Sequence, residues 1–154
     1  MEKKLKIVKK IAAKMLKLLK VEAKLDVSED KENQAIMVQI ETEDSGVLIG
    51  LHGETLASFQ LLLSIIASRE MGEWGRIIVN VGDYRQKREE VLRHMGLNAA
   101  QKVRFSGESV CLPGLSASDR RVIHLVLSEY NDVAAESEGE GKDRHLVIKP
   151  NKAG

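Results

Sequence analysis

The chain has 154 residues, enough for one domain or two small ones, with a 43% hydrophobic fraction that can fill a core and 31% charged residues that can solvate a surface. A single cysteine, Cys111, excludes an internal disulfide framework and a Cys-rich zinc site, and no run approaches the roughly 18 to 20 apolar residues of a spanning helix. The net charge of +1 hides segregation: residues 1–24 hold nine Lys against Glu2 and Glu22, residues 25–44 hold Lys31 against seven acids, and residues 76–104 are basic again.

Leu5, Val8, Ile11, Ala12, Met15, Leu16 and Leu19 recur at three- and four-residue steps opposite a Lys-rich face. That spacing predicts a basic amphipathic helix over about 3–20. Alternation over 21–27 and again at Ile36, Val38 and Ile40 predicts two strands of a hairpin, joined by a polar turn over 28–34. A short helix is expected around Val47-Leu48-Ile49. A longer one follows from Glu54 to Arg69, with Leu56, Phe59, Leu62, Leu63, Ile66 and Ala67 as its apolar stripe. Residues 77–81 read as a further strand.

Gly82-Asp83 marks a boundary, after which Asp83 can cap a helix over about 84–105 with Val91, Met95, Ala99 and Val103 as its stripe. A strand over 109–112 follows, with Cys111 expected as a small core residue. Ser116 is placed to cap a helix over 117–130, with Asp119 in its first turn, where the helix dipole favours an acid. Residues 133–135 and 146–148 complete the strand candidates. The reading gives 1–82 and 83–150 as domains and 151–154 as a frayed tail.

Three features bear on chemistry. Gly50-Leu51-His52-Gly53 lies between a short helix and a long one, where two glycines allow a tight turn and let a phosphate approach main-chain amides. About one Gly-x-x-Gly is expected by chance at this glycine content, and Gly72-Glu73-Trp74-Gly75 is read as an ordinary turn. Arg120-x-x-x-His124 sets two donors one helical turn apart, either as phosphate and base contacts or as a surface Arg beside a structural His. The Lys-rich first helix is a solvated face or, less simply, a lipid-surface helix. Catalytic signatures for acyl or phosphoryl transfer are absent from the sequence, as are metal-ligand spacings, so a non-enzyme without cofactor or metal is expected.

Taken together, Ile36 to Ile40, Ser45 to Leu56, Tyr84 to Glu90, Ser116 to His124 and Glu136 to Gly141 before Arg144 resemble, in that order, the Jag (SpoIIIJ-associated) family. The resemblance covers about residues 10–150 and implies an α+β chain: a type II KH domain followed by an R-three-H (Arg-x-x-x-His) domain, with helices packed on small sheets. It implies a cytoplasmic single-stranded RNA-binding protein, with single-stranded DNA as a further ligand, acting as a post-transcriptional regulator. In that reading Gly50, Leu51, His52 and Gly53 cradle the RNA backbone. Ile40, Val47 and Ile49 form a base groove, Arg120 and His124 a second site, and Arg85 and Arg88 electrostatic support. The family is also linked with a small single-KH protein and a membrane insertase, which leaves a protein-interaction adaptor as the alternative. Many members carry a basic residue between the loop glycines, where this sequence has Leu51 and His52; weaker loop binding is therefore expected. The additional N-terminal domain of longer members has no counterpart in these 154 residues.

Overall fold

The computed structural model describes residues 1–152 and divides into two compact units, Met1–Arg85 and a second that starts at Gln86. In the first unit, α1 (Glu2–Leu18) precedes the antiparallel strands β1 (Lys24–Asp30) and β2 (Ala35–Glu41). Then come α2 (Ser45–Ile49), a 3-10 turn (Leu51–Gly53), α3 (Glu54–Met71) and β3 (Ile77–Val81). β3 joins the far side of β2 in parallel, with Ile36 opposite Ile77 and Ile40 opposite Val81, so the sheet order is β1-β2-β3. The alternation of β2 and β3 sends Ile36, Val38, Ile40, Ile77, Val79 and Val81 into a core that α1 and α3 close with Val8, Ala12, Leu16, Leu56, Phe59 and Leu63.

β1 begins and ends later than its pattern suggests. Glu29 and Asp30 stay in the ladder opposite Ile36 and Ala35, because an edge strand tolerates charge on its solvent face. The turn is therefore only 31–34, fixed by the Asp30 carboxylate accepting from the Asn33 amide (3.1 Å) and its side-chain Nδ2 (2.8 Å). In α3 the buried face is Leu56, Phe59, Leu63, Ser64, Ala67 and Ser68, whereas Leu62 and Ile66, expected in the stripe, are 53% and 43% exposed. The helix is apolar on nearly every side, and two of its buried positions are serines, so hydrophobicity alone misplaces the face.

The second unit holds α4 (Tyr84–Ser106), whose first turn begins in the first unit, followed by β4 (Val110–Leu112), α5 (Ala117–Leu127), β5 (Val133–Glu138) and β6 (His145–Pro150). The sheet is antiparallel with order β4-β6-β5, and Leu146, Val147 and Ile148 of the central strand are all buried. The α4 stripe holds over most of its length, with Ala99 and Val103 buried and Met95 packed against the core, but it rotates at the start of the helix, where Leu92 and Gly96 are buried and Val91 is exposed. Gly96 explains the shift, since a Cβ there would lie 3.0 Å from Ile123 Cγ2, and its absence lets α5 approach. Cys111 is exposed rather than a core residue, because the short strand turns Val110 and Leu112 inward and its middle residue outward. Asn151 is not frayed: its amide donates to the Asp132 carbonyl at 2.9 Å, while residues 153 and 154 lie outside the described residues.

Candidate nucleic-acid interface

The loop after α2 is shaped by its glycines. Gly50 adopts φ 68°, ψ −172°, a region open in practice to glycine alone. A Cβ there would sit 2.1 Å from Thr55 Oγ1 and 2.7 Å from Thr55 Cβ. Gly53 is left-handed at φ 81°, with the Tyr84 hydroxyl 3.1 Å from where a Cβ would be. His52 is also left-handed, at φ 52°. The conformation holds Leu51 outward at 71% exposure and presents the start of α3, which has no side-chain cap, beside it. The Glu54 amide turns to the Leu51 carbonyl, and the amides after it, with the positive end of the helix dipole, favour an anion, the Glu54 carboxylate opposing it nearby.

The expected aliphatic groove is only partly accessible. Val47 is 59% exposed on α2 and Ile49 half-buried, but Ile40 is fully buried in the core between sheet and helices and offers nothing to a base. The inward half of β2's alternation is the core half, so Ile40 is withdrawn from the site.

Arg85 and Arg88, expected as electrostatic support, are both held by partners within the protein, Arg85 at an exposed position and Arg88 at a half-buried one. Arg85 donates from Nε and Nη2 to the Val79 carbonyl (3.2 and 3.0 Å) and from Nη2 to Gln60 Oε1 (3.0 Å). Gln60 Oε1 also accepts from the Val79 amide at 2.9 Å, so these two side chains satisfy the outer edge of β3 at Val79. Burial pulls the Arg85 guanidinium below its usual pKa, though it remains a cation at any working pH. Arg88 Nη2 meets Asp119 Oδ2 at 2.8 Å, the two side chains 17% and 7% exposed.

Asp119 also closes the capping box of α5. Its amide donates to Ser116 Oγ at 3.1 Å, and its Oδ2 accepts from the Ser116 amide at 3.3 Å. This fixes the first turn of α5 and hence Arg120, which is half-buried with Nη1 donating to the Leu115 carbonyl at 2.7 Å. One turn on, exposed His124 places Nδ1 3.1 Å from the Ala135 carbonyl on β5. A carbonyl only accepts, so Nδ1 carries the proton and Nε2 is left to other partners. The carboxylates of Glu136 and Glu138, the acids that could have claimed Arg120, both accept from Lys149 instead (2.8 and 2.7 Å). Arg120 thus keeps donors beyond the one that positions it.

Tyr84, Thr55 and Gln60 are the supporting residues that the sequence reading missed. Tyr84 and Gln60 act on segments brought to them by the fold, and Thr55 acts on Gly50 within the turn itself. Among the described residues no cluster of three metal-ligating side chains occurs, and no helix is long and apolar enough to cross a membrane.

Comparison with known proteins matches residues 6–81 to the KH domain of KhpA/KhpB and residues 90–150 to the R-three-H domain. The chain is 32% identical to the RNA-binding protein KhpB of Clostridium symbiosum over 124 residues, 80% of this chain and 56% of that protein. It is 32% identical to KhpB of Bacillus subtilis over 130 residues, 83% and 62% of the two chains, and 34% identical to KhpB of Streptococcus pneumoniae over 128 residues, 83% and 38%. The chain therefore spans between 38% and 62% of the length of these relatives. With a KhpA/KhpB-type KH domain followed by an R-three-H domain over nearly its whole length, the chain belongs to the Jag family.

Proposed function

We propose that the protein binds single-stranded RNA through two sites, the Gly50–Gly53 loop and the Arg120/His124 face of α5. The carrying observation is the loop itself: Gly50 and Gly53 take conformations that suit glycine, and they set a helix start without a side-chain cap beside an exposed turn. Main-chain amides there suit a phosphate backbone, with Val47 and Leu51 supplying apolar surface for bases. Arg120 takes a phosphate, and His124 Nε2 takes a base or sugar. The named relatives, called RNA-binding proteins, support this reading. Two tethered weak contacts on one strand combine, since the second becomes intramolecular. In this reading the protein is a cytoplasmic post-transcriptional regulator rather than an enzyme.

One experiment tests both sites: fluorescence anisotropy with single-stranded RNA and with duplex DNA of equal length across a salt series. RNA is expected to bind better, with a log–log salt slope of roughly −2 to −4 for about 3 to 5 phosphates. Replacing Leu51 and His52 together by Asp is expected to weaken binding without lowering the melting midpoint, since both sit in the loop outside the core. Arg120→Ala is expected to weaken binding and make the slope shallower by about one phosphate. No binding at low salt overturns the proposal.

A second reading, a protein adaptor that pairs with another KH protein or a membrane insertase, draws on the exposed, uncharged Leu51. RNA affinity unchanged by the Asp pair would favour it for the loop.

A further inference from the structure

Phe105 stands at the end of α4 with 97% of its surface exposed, in a chain with only two Phe, two Tyr and one Trp. A ring this exposed contributes almost nothing to the core, and its immediate neighbours on the helix are polar. Asn98, Gln101 and Lys102, all exposed, lie beside it on the same face of the helix, at spacings of seven, four and three residues. Further back along that face, a groove between α4 and β4 has Val91, Met95, Ala99, Val110 and Leu112 as its apolar lining and His94, Asn98 and Lys102 on its rim. Asn98 and Lys102 line both surfaces, so groove and ring form one continuous track.

The charge of this track is one-sided. Between Glu90 and Glu108 the chain carries Arg93, Lys102 and Arg104 and no carboxylate. Arg104 is neutralised by Asp132 and lies 5.1 Å from the Tyr130 ring centre, which leaves Lys102 as the cation on the track itself. An aliphatic floor, two amide side chains, an imidazole, a lysine and an unpacked ring are the groups that bind an unpaired nucleotide. Amides and imidazole pair with base edges, the ammonium takes a phosphate, and the ring stacks on a base face.

We propose that this face of α4, from His94 to Phe105, is a further single-stranded RNA surface of the second unit, with Phe105 as its stacking platform. It is separate from the Arg120/His124 face, which belongs to α5, and it rests on the RNA-binding reading given above. The lysine, the amide side chains beside Phe105 and the lack of any carboxylate between Glu90 and Glu108 favour RNA over a protein ligand.

The test uses the full chain and a labelled single-stranded RNA of about 12 nucleotides, long enough to span more than one contact. Phe105→Ala is expected to weaken binding by roughly 5- to 100-fold, the range for loss of one base–aromatic stack. Phe105→Trp is expected to retain wild-type affinity, since any aromatic face stacks. Ultraviolet crosslinking is expected to place nucleotides on residues 98–105 in the wild type. Binding that is equal in the wild type and Phe105→Ala overturns the inference and leaves the loop and Arg120 sites standing. Loss in both variants with melting midpoints unchanged overturns the stacking role. Absence of binding by the wild-type chain overturns the general RNA reading along with it.

Discussion

Gly50 and Gly72 each open a Gly-x-x-Gly, yet the structure makes different demands on them. Both have positive φ, 68° and 73°. At Gly50 a methyl group would overlap the Thr55 side chain at 2.1 Å, whereas at Gly72, the left-handed end of α3, nothing lies within 4 Å. Gly72→Ala is therefore expected to cost only about 1 kcal/mol of left-handed strain. Gly50→Ala adds steric overlap to a conformation no other residue favours, and is expected to cost at least about 2 kcal/mol. Denaturant midpoints of the two variants check the difference; equal midpoints would mean that the loop relaxes freely and has no enforced shape. The sequence set these two motifs apart only by their neighbours, because what a glycine is needed for depends on the atoms facing it. For the same reason the sequence could propose Arg88 as a free cation but could not reveal its partner Asp119, 31 residues away.

At the scale of elements, α5 shows how a local signal and a tertiary one meet in one carboxylate. Ser116 and Asp119 are a capping pair that the sequence displays openly, three residues apart before an apolar run. Asp119 also answers Arg88 on α4 while almost fully buried. Ser116→Ala removes one cap and is expected to cost about 1 kcal/mol. Asp119→Ala removes the cap and also the 2.8 Å ion pair with the largely buried Arg88 guanidinium, with an expected cost of roughly 3 kcal/mol. Thermal or denaturant unfolding of the two variants compares them, and similar losses would show the ion pair to be solvated in practice. The strands β2 and β3 were legible because their alternation has a single period and one dry face, whereas β1 is shifted along the chain and β6 buries three residues in a row. The faces of α3 and α4 were legible only in part, with Leu62, Ile66 and Val91 exposed among otherwise buried or core-packed expected residues. α3 offers Leu61, Leu62, Ile65 and Ile66 as readily as the residues it buries, and α4 buries a glycine that no hydrophobic count includes.

Over the whole molecule, the order of motifs revealed more than any one of them, since two weak signatures in the order of a known pair exclude most accidental matches. What stayed hidden was the tie between the start of α4 and the first unit. The family match ends at residue 81, where β3 ends, but Arg85 and Gln60 still hold the main chain of Val79 on the open side of that strand, and Tyr84 lies against Gly53. A fragment cut at the end of the strand would therefore be too short. Residues 1–81 would retain every sheet residue yet lose the guanidinium that covers the strand edge and the ring behind the loop. Residues 1–88 would keep both. The shorter fragment is expected to melt on the order of 10 °C below the longer one, as the loss of two such contacts implies for a domain this small. With the Val79 carbonyl no longer covered by Arg85, its strand would also be more open to pairing with the same strand of another molecule, so the shorter fragment should self-associate more in sedimentation than the longer one. Nucleic-acid measurements on a fragment trimmed to the strand would then report an aggregating edge and an unsupported loop.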